Sequence, residues 1–126
     1  MRKLSLIAGL LLFCAGAVWS AVGELDSDLM QAVEDANKSL ASNIALKDKK
    51  GSLSDAKELD GMFVEIEHFY VTKGDADDAV KLSKKSRELV TGILKSVDGG
   101  DFDHANVLAT DLSRTCKSCH NFYKKS

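Results

Sequence analysis

The chain contains no proline, and only 6% of its residues are aromatic. With few turn clusters as well, it lacks the frequent breakers that a β-sandwich or barrel needs. It also lacks charge of one sign. The formal net charge is -2 with acids and bases interspersed, which argues against a nucleic-acid-binding protein. No low-complexity segment occurs, and no internal repeat beyond a shared helical period. Cysteine is scarce, at Cys14, Cys116 and Cys119 alone. What the chain does have is 44% hydrophobic and 29% charged residues over 126 positions, enough for one compact core and too few for two. That mixture also argues against disorder.

One long apolar run stands at the start, Leu4 to Trp19, behind the basic pair Arg2 and Lys3. Small residues follow, and Val18-Trp19-Ser20 resembles a cleavage site before Ala21; a cut after Gly23 also fits. Residues 1–20 therefore read as a secretory signal peptide and 21–126 as one exported domain, expected in the periplasm. The rival readings are a retained membrane anchor, for which the run is slightly short, and a lipoprotein at Cys14, where Phe13 is bulky for such a signal. Cleavage removes two bases and Cys14. The remainder is mildly acidic and carries one closely spaced thiol pair.

Helical spacing runs through the rest. Leu25, Leu29, Val33, Ala36, Leu40 and Ile44 follow one face, and Lys47 to Ser54 reads as a polar break containing Gly51. A second segment carries Ala56, Leu59, Phe63, Ile66 and Tyr70, with Ser54 suited to its start and Thr72-Lys73-Gly74 to its end. Asp75 is positioned to cap a third, carrying Ala79 or Val80, Ser83, Ser86, Val90, Ile93 or Leu94, and Val97. The stripe of that helix is weaker at its beginning, where serines replace apolar residues. Gly99-Gly100 stops it, and Phe102, Ala105, Leu108, Leu112, Cys116, Cys119 and Tyr123 form the fourth stripe. Four amphipathic helices of roughly 20 residues joined by short links predict an all-α, antiparallel up-down-up-down four-helix bundle.

Cys116-Lys117-Ser118-Cys119-His120 is C-x-x-C-H, the attachment signature of c-type haem. Two intervening residues set the thiols one helical turn apart, so each can add to one vinyl group, and His120 can reach the iron as proximal ligand. The rivals are a structural disulfide, a thioredoxin-like pair and a zinc site. A thioredoxin-like pair usually follows a strand, and none is predicted; zinc needs four ligands, and there is no second cysteine pair. One covalent haem near the end of the fourth helix is the expectation.

The other side of the iron needs a partner or an empty position. In an alternating bundle the end of helix four lies beside the start of helix one and the end of helix two. Met30 stands at that level, on the flank of its stripe. Its thioether is a candidate sixth ligand, its bland role being core packing. Leu29, nearer the stripe centre, would instead block the position. His68 is at a compatible level but opposite its stripe, and reads as solvated. His104 is about 24 Å from His120 along one helix and cannot share its iron. Met62 reads as packing.

The last helix resembles that of the class II cytochromes c, the cytochrome c prime family and its low-spin relatives. The likeness is carried by Gly100-Asp101-Phe102-Asp103 at its start and by Thr115-Cys116-Lys117-Ser118-Cys119-His120-Asn121-Phe122-Tyr123-Lys124 at its end. The first helix is similar to that of the small periplasmic b-type bundle cytochrome, in Asp28-Leu29-Met30-Gln31-Ala32-Val33-Glu34-Asp35-Ala36-Asn37-Lys38. The resemblance is close only in helices one and four. It implies a haem-bearing bundle with Met30 and His120 as the axial pair. The chain departs from the high-spin pattern: no arginine precedes the sixth-site residue, the link between helices two and three is short, and Lys124 stands where that family has arginine.

The functional expectation is an exported one-electron carrier rather than an enzyme, since no titratable cluster accompanies a nucleophile. Its runner-up is a five-coordinate, high-spin protein that binds nitric oxide or another small gas. Phe69, Tyr70, Phe122 and Tyr123 stand at the haem level and could line its pocket. Partners would be redox proteins met through small, weak contacts. Lys117, Lys124 and Lys125 near the haem edge are offset by nearby acids. No stable membrane association is expected after signal cleavage, and association into a homodimer is left open.

Overall fold

A computed structural model describes residues 25–123, so the predicted signal segment and Lys124, Lys125 and Ser126 lie outside the described residues. The described residues form an all-α four-helix bundle: α1 Ser27–Ala45, α2 Lys49–Lys73, α3 Asp77–Asp98 and α4 Phe102–Tyr123. Each helix packs on its sequence neighbours, and α1 closes the ring against α4 through a sparser interface. Short turns force each helix antiparallel to the one before it. One end of the bundle therefore holds the α1–α2 and α3–α4 turns. The other gathers the start of α1, the α2–α3 turn and the end of α4.

Local chemistry sets the ends of the helices. Asp26 caps α1, its carboxylate accepting from the Asp28 N–H at 2.9 Å. The link to α2 is only Leu46 to Asp48, with Lys47 at φ 54°. This corrects the expected break over Lys47–Ser54. Asp48, not Ser54, is the N-cap of α2, accepting from the Gly51 N–H at 3.0 Å. A side chain at position 51 would stand 2.5 Å from Asp48 Oδ2 and 2.8 Å from Asn43 Nδ2, so glycine here marks a close approach inside a helix rather than a break. Ser52 continues the α2 stripe and is fully buried.

Gly74, at φ 83°, ends α2 as predicted, its N–H bonding the Tyr70 carbonyl at 3.2 Å. Asp75 does not cap α3. The N-cap position falls to Ala76, which makes no side-chain cap bond and is buried among the core residues. Asp77 and Asp78 in the first turn complement the helix dipole instead. At the other turn Gly100 adopts φ 78°, and Asp101 accepts from the His104 N–H at 2.9 Å, starting α4.

The core follows the predicted stripes on α2 and α3, while on α1 it begins at Val33, with Leu25 and Leu29 half-buried. On α4 the buried line runs through Ala105, Ala109, Leu112 and Thr115, leaving Leu108, Cys116 and Cys119 half-buried beside it. The two cysteines thus stand on the flank of the helix rather than on its central line. Arg87 ties α3 to α2 across the outside, 3.1 Å from Glu67 and 3.5 Å from Asp60.

Candidate functional site

At the end that gathers α1's start and α4's finish, the helices part around a cleft of about 390 Å³. Its apolar walls come from Val33 of α1, Phe63, Ile66 and Tyr70 of α2, and Leu82 of α3. Its donor atoms come from both ends of the chain: Met30 from α1, and Cys116, Cys119 and His120 from α4. All four are half-buried. Exposed Glu34 and Lys117 are also among its lining residues; Glu34 pairs with Lys38 at 2.8 Å.

The placement of Met30 follows from helix geometry. It lies three residues before Val33 and seven before Asn37, so all three fall close to one face of α1. All three line the cleft, whereas Leu29 packs against the core and does not line it. On α4 the three-residue spacing puts Cys116 and Cys119 on one face, and the next residue, His120, lines the cleft with them. His68 is exposed, as read from its pattern, and Met62 is half-buried against the core. His104 lies near the start of α4, with Nδ1 3.0 Å from Ser96 Oγ. Of the four expected pocket aromatics, Tyr70 lines the cleft, and Phe69 packs edge-on against it with ring centres 5.1 Å apart. The side chains of Phe122 and Tyr123 lie outside the described set.

Burial decides the protonation of the thiols. It pushes Cys116 up to about 11, with a smaller push from neighbouring Cys119, and raises Cys119 as well. Near neutral pH both are neutral thiols rather than reactive thiolates. Among the described residues, no three His, Cys, Asp or Glu side chains converge as a metal site. A haem iron, already held by four ring nitrogens, would need only one or two further ligands, of the imidazole and thioether types that His120 and Met30 carry.

Two features of the cleft escaped the reading of the sequence. Asn37 Nδ2 donates to Ser113 Oγ at 3.1 Å, joining α1 to α4, while its Oδ1 is buried with no hydrogen-bond partner. Ser83 and Ser86 are buried, line the cleft, and bond their own helix, to the Ala79 carbonyl at 2.7 Å and the Leu82 carbonyl at 2.9 Å. The weak early stripe of α3 was the signal for the serines. Nothing in the sequence pointed to Asn37.

Comparison with family models, with curated proteins and with solved structures finds no match. The likeness to class II cytochromes c therefore rests on the residues quoted above, and the chemistry of the cleft has to be argued from its own walls. The residue types in those walls are ones a haem could use: two neutral thiols one turn apart, an imidazole and a thioether on different helices, and an apolar lining. Among the described residues, no helix is long and apolar enough to cross a membrane.

Proposed function

We propose that the chain is an exported c-type cytochrome of the periplasm, a one-electron carrier with a single covalent haem. Cys116 and Cys119 would form the thioethers, His120 would be the proximal ligand and Met30 the sixth. The observation that supports this most is the shared cleft. Ligand-type residues about 90 positions apart in the chain line one space in the bundle, beside the thiol pair.

The chemistry that bound haem supplies is reversible transfer of one electron. The rest belongs to the chain. Cys116 and Cys119 would tether the group, so that it could not leave when its charge changes. His120 and Met30 approach from separate helices that are packed together elsewhere, which limits how far either can move. Val33, Phe63, Ile66 and Tyr70 would cover the apolar part of the group. Exposed Lys117 also lines the cleft beside the tether, on a surface of mixed charge.

The test is an optical spectrum of protein purified from a host that matures c-type cytochromes. The expected result is a low-spin ferric and ferrous spectrum with a weak near-infrared methionine-to-iron band, lost in Met30→Ala. A high-spin spectrum that changes readily with nitric oxide or carbon monoxide favours the gas-binding alternative. Colourless protein from a competent host removes both.

A further inference from the structure

The inward positions of α3 change character along its length. From the middle to the end they hold Val90, Ile93 and Val97, each fully buried. Toward its start they hold Ala79, Ser83 and Ser86, also buried, and the cleft opens in front of the two serines. Both hydroxyls bond backward to carbonyls one turn earlier, so they have little need of a partner in the cleft. Serine at such positions is not the stable choice. Its back-bond slightly weakens the helix, leucine is the better helix former, and leucine would fill the void. The chain therefore carries a stability cost where the cleft needs room. The same cleft gathers Met30, Cys116, Cys119 and His120 from α1 and α4, which is a second, independent sign that the space has an occupant.

Resting on the haem reading above, we propose that Ser83 and Ser86 are positioning residues that keep the cleft open for the ring by being small. Enlarging them would close the cleft with the bundle intact. Room, not the hydroxyl, is the property that matters. The bundle without haem and the bundle with it then make opposite demands on the same two positions.

The experiment compares wild type, the pair Ser83→Leu/Ser86→Leu and the pair Ser83→Ala/Ser86→Ala. Each is made in a host that attaches c-type haem and in one that does not, and followed by thermal melts, haem content and the ligation spectrum. Ser39→Leu, at an exposed position of α1, is the control for added hydrophobicity. The leucine pair is expected to raise the melting point of the haem-free bundle by about 5 °C. Its haem content is expected to fall at least five-fold, with any loaded protein melting below the haem-free form. The alanine pair should load like wild type and keep its spectrum.

A leucine pair that loads fully with an unaltered spectrum overturns the inference. So does a leucine pair whose haem-free form is unfolded, and so does an alanine pair that fails to load. Wild type recovered without haem from the competent host overturns the reading of the site and this inference with it. That outcome is distinct from a failure confined to the variants.

Discussion

At the end of the bundle that carries the α1–α2 and α3–α4 turns, the inward positions are filled by Leu40, Ile44, Ile93 and Val97, almost wholly shielded from solvent. At the opposite end α3 and α4 offer Ser83, Ser86 and the flanking Cys116 beside buried Val33, Phe63, Ile66 and Tyr70, and the helices stand apart around a cleft. The turns differ in the same sense. The closed end has Asp48 and Asp101 as side-chain caps, and Lys49 donates to the Asp98 carbonyl at 2.8 Å, tying its two turns together. The open end has a single turn, entered through Gly74 and followed by Ala76, which makes no side-chain cap bond. One end is packed through; the other leaves a space between its helices.

That contrast can be broken by measurement. Leu59→Ala or Leu112→Ala, in the sealed core, should lower the haem-free unfolding free energy by about 3 kcal/mol in urea titration. Val33→Ala, on the cleft wall, should cost about half as much as Val97→Ala at the closed end, because the void it joins already exists. Equal costs at the two sites would show that the cleft end is packed as tightly as the other.

The next effect belongs to the open end and to pH. Cys116 holds its proton more tightly in the folded chain than in the unfolded one, because burial disfavours the thiolate. Its contribution is therefore complete below its ordinary value near 9 and lost as pH rises to about 11. Haem-free protein should lose about 1–2 kcal/mol across that window, with Cys119 adding in the same direction. Cys116→Ser should flatten the profile, and melts from pH 8 to 11 would read it.

Smaller still are the caps. Asp48→Ala should cost about 1 kcal/mol, and Asp75→Ala should stay within about 0.5 kcal/mol, since only the first carboxylate receives a helix N–H. Chemical denaturation of the two variants side by side checks this. An equally small effect is expected from Lys49→Ala, which removes an exposed contact between the turns, within about 0.5 kcal/mol in the same titration.

The four helices were legible because each has a long stripe at three-or-four spacing, and burial falls on those residues almost throughout. The α1–α2 link was misread because glycine and serine usually mark a break. Here Gly51 lets Asn43 and Asp48 come close, and Ser52 sits in the core with its hydroxyl unpartnered among the described residues. Asp75 was misread by one position: the buried Ala76 takes the cap site. In the cleft, the thiols and His120 were legible as a local motif. Met30 was reached by arguing level and face, and it does line the cleft where Leu29 does not. Asn37 was not legible, because what makes it notable is the burial of one amide atom between two helices.

Periodicity and spacing are local properties, carried within one turn of helix or one short motif. They were enough for an all-α bundle, for the order of its elements, and for a thiol pair beside an imidazole on the last of them. A void is not local. It exists only because four walls fail to meet, and its size depends on side chains from every helix at once. The tertiary structure alone decided that the serines of α3 face the same space as Met30 and the C-x-x-C-H motif, and that α4 turns its cysteines to its flank rather than into the sealed core.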